Sequence, residues 1–311
     1  MEGIVKAVCI SEKRGVQKHD VGSAELRAEF GLADDAHAGP WHRQVSLLSF
    51  DKIEEFNEKG AGVRPGAFGE NLVVSGIDFR ALPVGTRFSC GEVLLELTQI
   101  GKECHSHCEI YKKMGDCIMP REGVFAAVVR GGKIAAGDVM TVIPVEQQGF
   151  RAAVITLSDK GYRGERADES GPVIVEALKS RGYTVVEAVV LPDVQERIQR
   201  ELINYADRRQ VDLILTTGGT GFSPRDCTPE ATMAVATRNA PGIAEAIRAY
   251  SMRYTGRAML SRGASVIRGS TLIVNLPGSP KAVRESLECI LDQLEHGLGI
   301  LKGTAGECAR Q

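Results

Sequence analysis

The second half of the chain alternates short apolar runs with longer stretches of helical periodicity. The apolar runs cover residues 152–157, 184–191, 211–216 and 271–276. The predicted helices cover residues 171–182, 194–209, a segment starting at Pro229, and 280–301. Strands that alternate with helices at this spacing are typical of a parallel sheet. We therefore predict that residues 151–311 form a three-layer α/β domain with a mostly parallel sheet.

The first half has a different pattern, with short apolar or alternating segments separated by glycine and proline turns. These segments predict strands at residues 45–49, 70–74, 91–99, 126–130 and 139–143, with one helix near 49–58. Many short strands with such turns indicate a compact β-rich barrel or sandwich. The pattern changes near Pro144. We therefore predict domains at 1–145 and 151–311, joined by a linker at 146–150.

Composition and charge narrow the functional classes. A length of 311 residues allows two domains with separate cores, and the net charge of −2 argues against a general nucleic-acid binder. The sequence has no apolar run long enough to span a membrane and no signal-peptide pattern after Met1, so we expect a cytoplasmic protein without a membrane partner. In that reducing compartment its 8 cysteines should be buried or reactive thiols rather than disulfides.

A glycine–threonine loop with a positive and a negative charge occupies residues 216–232. It leaves the predicted strand 211–216, and Thr228-Pro229 reads as a hydroxyl N-cap followed by proline at the first helical position. Glycines let backbone N–H groups approach an anion closely. The loop therefore indicates phosphate binding, although glycines after a strand can also form a plain tight turn.

The whole run 216–232 resembles the signature loop of the MogA/MoaB family, the molybdopterin adenylyltransferases of molybdenum cofactor synthesis. Further segments resemble family motifs in family order, and they lie at residues 155–159, 168–172, 191–193, 259–262, 267–273 and 275–280. The resemblance covers the chain from Arg151 onward. It implies that the protein transfers the adenylyl group of ATP to molybdopterin with the help of Mg²⁺. The products are adenylyl-molybdopterin and pyrophosphate.

Two aspartates match the family's essential pair. Asp193 lies in a Pro-Asp turn and Asp226 in a Pro-Arg-Asp motif, so the resemblance makes them catalytic residues and Mg²⁺ ligands. Carboxylate oxygens suit this ion. From the residues alone, Asp193 could instead be the N-cap of the next helix, and Asp226 could be an ion-pair partner of Arg225.

The resemblance also implies the residues that bind nucleotide and pterin. The nucleotide should lie on Gly218, Gly219, Thr220 and Gly221 and on a second loop containing Asn275, Pro277, Gly278 and Ser279. That second loop opens a helix and independently suits an anion. Ser158 and Asp159 should face the same crevice. Ser251, Ser261 and Arg262 match pterin-site positions, and Arg262 could hold the pterin phosphate bidentately.

The first half resembles the MOSC family, β-barrel domains linked to sulfuration or binding of the molybdenum cofactor. The resemblance lies in residues 37–48, 66–76, 97–104, 123–130 and 137–138. It singles out Cys104 as a thiolate that carries sulfur or ligates the metal, with Lys102 and His105 favouring the thiolate.

Other interpretations of these cysteines stay open. Cys104, His105, His107 and Cys108, with Cys117 nearby, could bind zinc, and Cys104 and Cys108 could form a redox pair. Cys104 could also be an idle thiol. That last interpretation is favoured for Cys9, Cys90, Cys227 and Cys289.

Together the two resemblances indicate a bifunctional protein of molybdenum or tungsten cofactor maturation. A homotrimer or hexamer and a downstream molybdenum-insertion protein are the expected partners. One alternative is a non-catalytic cofactor carrier or scaffold. Another is detoxification of N-hydroxylated compounds by the first domain.

Overall fold

The computed structural model describes residues 1–104, 109–145 and 149–304 and divides into two compact units, Met1–Gln147 and Gln148–Gln311. Each unit has its own apolar clusters, formed by buried side chains from that unit. Among the described residues, we find no helix whose length and apolar character would let it traverse a bilayer.

The first unit is a closed barrel of seven strands, which confirms the predicted β-rich barrel. The described strands of the whole unit, of which seven form the barrel and β2 pairs with β1 beside it, are β1 (Glu2–Ile10), β2 (His19–Asp20), β3 (Ser23–Arg27), β4 (Gly31–Leu32), β5 (Val45–Ser49), β6 (Leu72–Ser75), β7 (Arg87–Cys90), β8 (Val93–Ile100), β9 (Val124–Arg130), β10 (Gly132–Ala135) and β11 (Val139–Ile143). The order around the barrel is β11-β7-β8-β9-β5-β6-β1, and β1 pairs with β11 to close it.

Short helices and a small sheet complete the first unit. The helices are α1 (Phe50–Glu58), α2 (Glu109–Met114) and α3 (Met119–Glu122). Their buried side chains, such as Ile53, Phe56 and Met119, belong to a second apolar cluster beside the barrel core. Strands β10, β3 and β4 form a separate three-stranded sheet.

The second unit is a three-layer α/β domain built on a six-stranded sheet, as predicted. Its strands are β12 (Arg151–Leu157), β13 (Thr184–Leu191), β14 (Leu213–Thr217), β15 (Arg238–Asn239), β16 (Ser265–Arg268) and β17 (Thr271–Leu276). Its helices are α4 (Asp159–Tyr162), α5 (Ser170–Ser180), α6 (Gln195–Ile203), α7 (Thr228–Ala234), α8 (Pro241–Ser251) and α9 (Pro280–Leu301). The sheet order is β13-β12-β14-β17-β16-β15, in which the first four strands are parallel.

Helices cover both faces of this sheet, and its central strands are therefore buried on both sides. Apolar side chains of α5, α8 and α9 pack on one face, and those of α6 and α7 pack on the other. Every residue of β14 and β17 is buried. The four parallel strands end at one edge of the sheet, and the loops that follow them meet there. In open α/β sheets this is the edge that binds ligands.

Some predicted elements differ in detail from the structure. The helix predicted at 194–209 covers nearly that range, but its α-helical part, α6, ends at Ile203 and Asn204–Arg208 continue it as a π-helical turn. The predicted strand 70–74 begins only at Leu72, because the buried Glu70 carboxylate accepts hydrogen bonds from the backbone N–H groups of Gly66 and Phe68 and turns the chain there. Thr228 is not an N-cap: it is the first residue of α7, and its hydroxyl donates to the Gly218 carbonyl at 3.0 Å.

Candidate functional site

The signature loop turns sharply after β14 because two of its glycines adopt left-handed backbone conformations. Gly218 has a φ of +96° and Gly219 a φ of +63°. A Cβ atom at Gly218 would collide with the Leu157 carbonyl, and one at Gly219 would collide with the Thr228 hydroxyl. Glycine at both positions therefore lets the loop lie tightly between β12 and α7.

Asp193 lies beside this loop and is held by a reciprocal contact with Asp159. Its Oδ2 accepts a hydrogen bond from the Asp159 N–H at 3.1 Å, and its own N–H donates to Asp159 Oδ1 at 3.1 Å. A Cβ atom at Gly219 would lie 3.0 Å from Asp193 Oδ1, so that oxygen faces the loop. Asp193 is not the N-cap of α6, because Val194 occupies that position.

Asp226 closes the other end of the glycine stretch. Its Oδ2 accepts a hydrogen bond from the Ser223 N–H at 3.2 Å, and a Cβ atom at Gly221 would lie 2.8 Å from the same oxygen. Arg225 does not pair with it: the Arg225 guanidinium donates to Asp159 Oδ2 from Nε at 3.1 Å and from Nη2 at 2.7 Å. The purely structural alternatives for both aspartates are therefore wrong.

The electrostatics of this corner favour a bound cation. Burial raises the pKa of the Asp193 carboxyl above its usual range, and the charges of Asp159 and Asp226 add to the rise. The hydrogen bonds from Arg225 hold the pKa of Asp159 below its usual range. A divalent cation beside Asp193 and Asp226 would relieve the repulsion that raises the Asp193 pKa.

Two carboxylates are a small ligand set. In the part of the chain that the structure describes, no cluster of three or more His, Cys, Asp or Glu side chains is arranged to hold a metal ion. Mg²⁺ usually keeps several waters and takes one or two carboxylates together with substrate phosphates. Asp193 and Asp226 therefore fit Mg²⁺ bound with a nucleotide better than a resident structural metal.

A pocket of about 360 Å³ opens at the ends of β12 and β14, beside the first residues of α5 and α9. It brings together four predicted site residues, Ser158, Gly218, Gly278 and Ser279. The two serines also cap helices: Ser158 Oγ accepts from the Gly161 N–H of α4, and Ser279 Oγ accepts from the Ala282 N–H of α9.

The sequence reasoning missed Asp168 and Ser170 as pocket residues, although the family motif 168–172 contains both. Asp168 accepts hydrogen bonds from the Thr156 hydroxyl and from the N–H groups of Ser170 and Gly171, at 2.8–3.1 Å. The Ser170 hydroxyl donates to the Gly278 carbonyl at 2.9 Å. These bonds join β12, the start of α5 and the loop before α9 into one pocket wall.

Arg262 binds the signature loop itself. Its Nε donates to the Gly221 carbonyl and its Nη2 to the Asp226 carbonyl, each at 2.7 Å, and Nη1 pairs with Glu230. Its backbone N–H donates to the Thr220 carbonyl at 2.9 Å. In this structure the guanidinium therefore fixes the loop, and its predicted contact with a pterin phosphate remains a prediction.

The remaining predicted residues support the site or lie away from the pocket. The buried Asn275 side chain donates to the hydroxyls of Thr216 and Thr232 and accepts from the Ala264 N–H, so it joins β17 to its neighbours. Pro277 accepts from the Thr217 hydroxyl. Neither Ser251, the buried last residue of α8, nor Ser261 is among the described residues that line the pocket.

A second, larger pocket of about 780 Å³ lies in the first unit. Its lining includes the basic side chains of Lys18, His37, Arg43, Lys102 and Lys112. Lys18 is buried and pairs with the buried Asp35 at 2.5 Å. The Arg43 guanidinium lies over the rings of Trp41 and Phe125, 4.6 and 5.6 Å from their centroids. A wall of this kind suits an anionic, planar ligand.

Cys104 is exposed on the loop after β8, and it is not among the described residues that line the larger pocket, although Lys102 is. His105, His107 and Cys108 lie outside the described residues, so the zinc and redox alternatives that use them remain predictions. Cys9 and Cys90 lie in the core, where burial raises their thiol pKa to about 12 and about 11. That position suits the idle thiols predicted there.

Comparison with known proteins finds a family model that matches each unit. A family model described as a probable molybdopterin binding domain matches residues 153–296, and a MOSC domain model matches residues 34–141. Molybdopterin adenylyltransferase of Helicobacter pylori is 37% identical over 158 residues, which cover 50% of this chain and 90% of that protein.

Two further relatives match the same half. Molybdenum cofactor synthesis protein cinnamon of Drosophila melanogaster is 41% identical over 149 residues, which are 48% of this chain but only 25% of that protein. The solved structure of the molybdopterin biosynthesis enzyme MoaB from Thermus thermophilus is 49% identical, with a TM-score of 0.48, covering 50% of this chain and 97% of that one.

Proposed function

The chain belongs, through its second unit, to the MogA/MoaB family of molybdopterin adenylyltransferases, and from this premise we propose that it adenylylates molybdopterin in molybdenum cofactor synthesis. The observation that carries the proposal is the position of two carboxylates. Asp193 and Asp226 flank the Gly218–Gly221 stretch at the ligand-binding edge of the sheet.

The reaction asks the protein for positioning and charge neutralisation. A phosphate oxygen of molybdopterin attacks the α-phosphorus of ATP, and the bond from that phosphorus to the oxygen bridging to the β-phosphorus breaks. Pyrophosphate leaves with the electron pair. Mg²⁺, held by Asp193 and Asp226, would neutralise phosphate charge. The tight glycine turn lets backbone N–H groups approach the nucleotide, and Arg262 keeps that turn in place.

We propose that the first unit binds the same cofactor in its basic pocket. The basic side chains of Arg43, Lys102 and Lys112 there suit the phosphate of a pterin, and the aromatic wall suits its ring. Cys104, exposed two residues beyond Lys102, would carry sulfur to the bound cofactor. Cytoplasmic location, assembly into a trimer or hexamer and a molybdenum-insertion partner remain predictions from the resemblance.

The direct test is adenylyl transfer by the purified chain. Incubation with molybdopterin, Mg²⁺ and [α-³²P]ATP should label the pterin. Asp226→Asn should reduce the rate at least about 100-fold, because it removes a metal-binding charge. The amide oxygen can still accept from the Ser223 N–H, so the loop should stay folded.

Asp292→Asn is the control. Asp292 is an exposed aspartate of the same unit, paired with Arg181, and its loss should leave labelling unchanged. A wild-type protein that binds molybdopterin but never labels it would contradict the transferase and favour a cofactor carrier.

A further inference from the structure

The pocket of about 360 Å³ contains one basic side chain among the described residues that line it, Arg166. We propose that Arg166 is a further catalytic residue of the adenylyl transfer, contacting the β- and γ-phosphates of ATP and then the departing pyrophosphate. The inference rests on the proposed function, since it assigns a role within that reaction.

The charges of the pocket give the first argument. A bound ATP brings a highly charged triphosphate, whereas the acidic side chains in the lining, Asp168 and Glu169, would repel it. Asp168 is already occupied with the N–H groups at the start of α5, which takes those donors away from a ligand. Arg166 is therefore the basic side chain, among the described residues that line this pocket, that can offset phosphate charge.

The contacts of the neighbouring arginines give the second argument. Arg163, in the same loop, pairs with Glu165 through Nε at 2.7 Å and Nη2 at 3.0 Å. Arg225 is held by Asp159. Arg166 is exposed and makes no hydrogen bond or ion pair with any residue in the described ranges. No hydrogen bond or ion pair among the described residues therefore holds the Arg166 side chain away from a ligand in this pocket.

The chemistry of the step gives the third argument. As the bond between the α-phosphorus and its bridging oxygen breaks, negative charge grows on the leaving pyrophosphate. A guanidinium offers several N–H donors to two phosphate oxygens at once, and it stays protonated throughout. Arg166 would therefore stabilise the transition state more strongly than it stabilises the complex with ATP. It would neither give nor take a proton.

The experiment compares Arg166→Ala with Arg163→Ala in the full chain. Three quantities are measured: the Kd of MgATP, the steady-state constants for adenylyl transfer, and the KM of pyrophosphate in the reverse reaction. We expect Arg166→Ala to raise the KM of ATP and of pyrophosphate about 10-fold and to lower kcat about 10- to 100-fold. The melting temperature should not change, because Arg166 makes no hydrogen bond or ion pair with the described residues that the substitution could remove. Arg166→Lys should recover part of the rate.

Arg163→Ala is the matched control, since it removes an equal charge from the same loop, and it should stay within about twofold of wild type. Values for Arg166→Ala within the same twofold range would overturn the inference. If the wild type made no product, the proposed function would fail separately. The MgATP affinities would then decide the role of Arg166: equal values in wild type and Arg166→Ala would exclude it, and weaker binding by the variant would retain the phosphate contact.

Discussion

At the residue scale, the catalytic role that we propose for Asp193 opposes the stability of the fold. Burial, together with the charges of Asp159 and Asp226, raises its pKa in the folded protein. A carboxyl with a raised pKa stabilises the fold below its unfolded pKa, and this contribution disappears as the pH rises through the folded pKa. At neutral pH the ionised carboxylate therefore costs stability. We expect Asp193→Asn to melt at a higher temperature than wild type at pH 7, while adenylyl transfer falls at least about 100-fold.

Thermal melts across pH distinguish this cause from a general effect of the substitution. The advantage of Asp193→Asn should shrink as the pH falls through the raised pKa of Asp193 in the folded protein, and it should be gone below the ordinary pKa of an unfolded aspartate. MgATP should stabilise wild type more than the variant. If the variant melted below wild type at pH 7, contacts within the protein would already offset the charge of the Asp193 carboxylate without MgATP. That result would contradict our interpretation of the site.

Asp193 also shows how much of the site could be predicted from the sequence. A Pro-Asp turn before a helix is compatible with an N-cap, and only the family resemblance favoured a catalytic role for Asp193. The structure excludes the cap because Asp193 contacts Asp159, 34 positions earlier in the chain. Likewise Arg225 selects Asp159 over its neighbour Asp226. Contacts between distant positions decide both cases, and no local pattern contains them.

At the element scale, the signature loop is held by Arg262, which lies in the segment before β16. We expect Arg262→Ala to lose two hydrogen bonds to the loop and one ion pair, lowering the free energy of unfolding by about 1–3 kcal/mol. Because the bonded carbonyls belong to Gly221 and Asp226, the variant should also raise the Mg²⁺ concentration needed for half-maximal activity.

Arg268→Ala is the matched control for this loss. Arg268, the last residue of β16, makes a bidentate pair with Asp207 and donates to the Val235 carbonyl, and it is not among the described residues that line the pocket. Both variants should lose stability, as measured by urea unfolding, but only Arg262→Ala should change the Mg²⁺ requirement. An equal change in both variants, or in neither, would refute a specific role for Arg262 in the loop.

Element boundaries were predictable where local signals agree. Strand β17 and helix α9 match their predicted ranges, because a fully buried apolar run ends in a turn and the helix starts with a capping Ser279 and Pro280. Strands β1 and β7 of the barrel were not identified. β1 is defined by its pairing with β6 and with β11, and β11 lies more than a hundred positions further along the chain. β7 is only a short segment, Arg87–Cys90.

At the scale of the whole molecule, two units with separate apolar clusters should support two separable activities. We expect Cys104→Ser to remove ³⁵S labelling of the protein by a ³⁵S-persulfide donor, while adenylyl transfer stays within about twofold of wild type. Asp226→Asn should do the reverse. The physical reason is that each residue belongs to a different unit, and the hydrogen bonds that hold Asp226 come from its own unit. Cys289→Ser, a substitution at a half-buried thiol of the second unit, should change neither activity.

Zinc analysis of the same proteins completes the test. One equivalent of zinc in wild type that Cys104→Ser loses, without any sulfur transfer, would replace the sulfur carrier with a metal site.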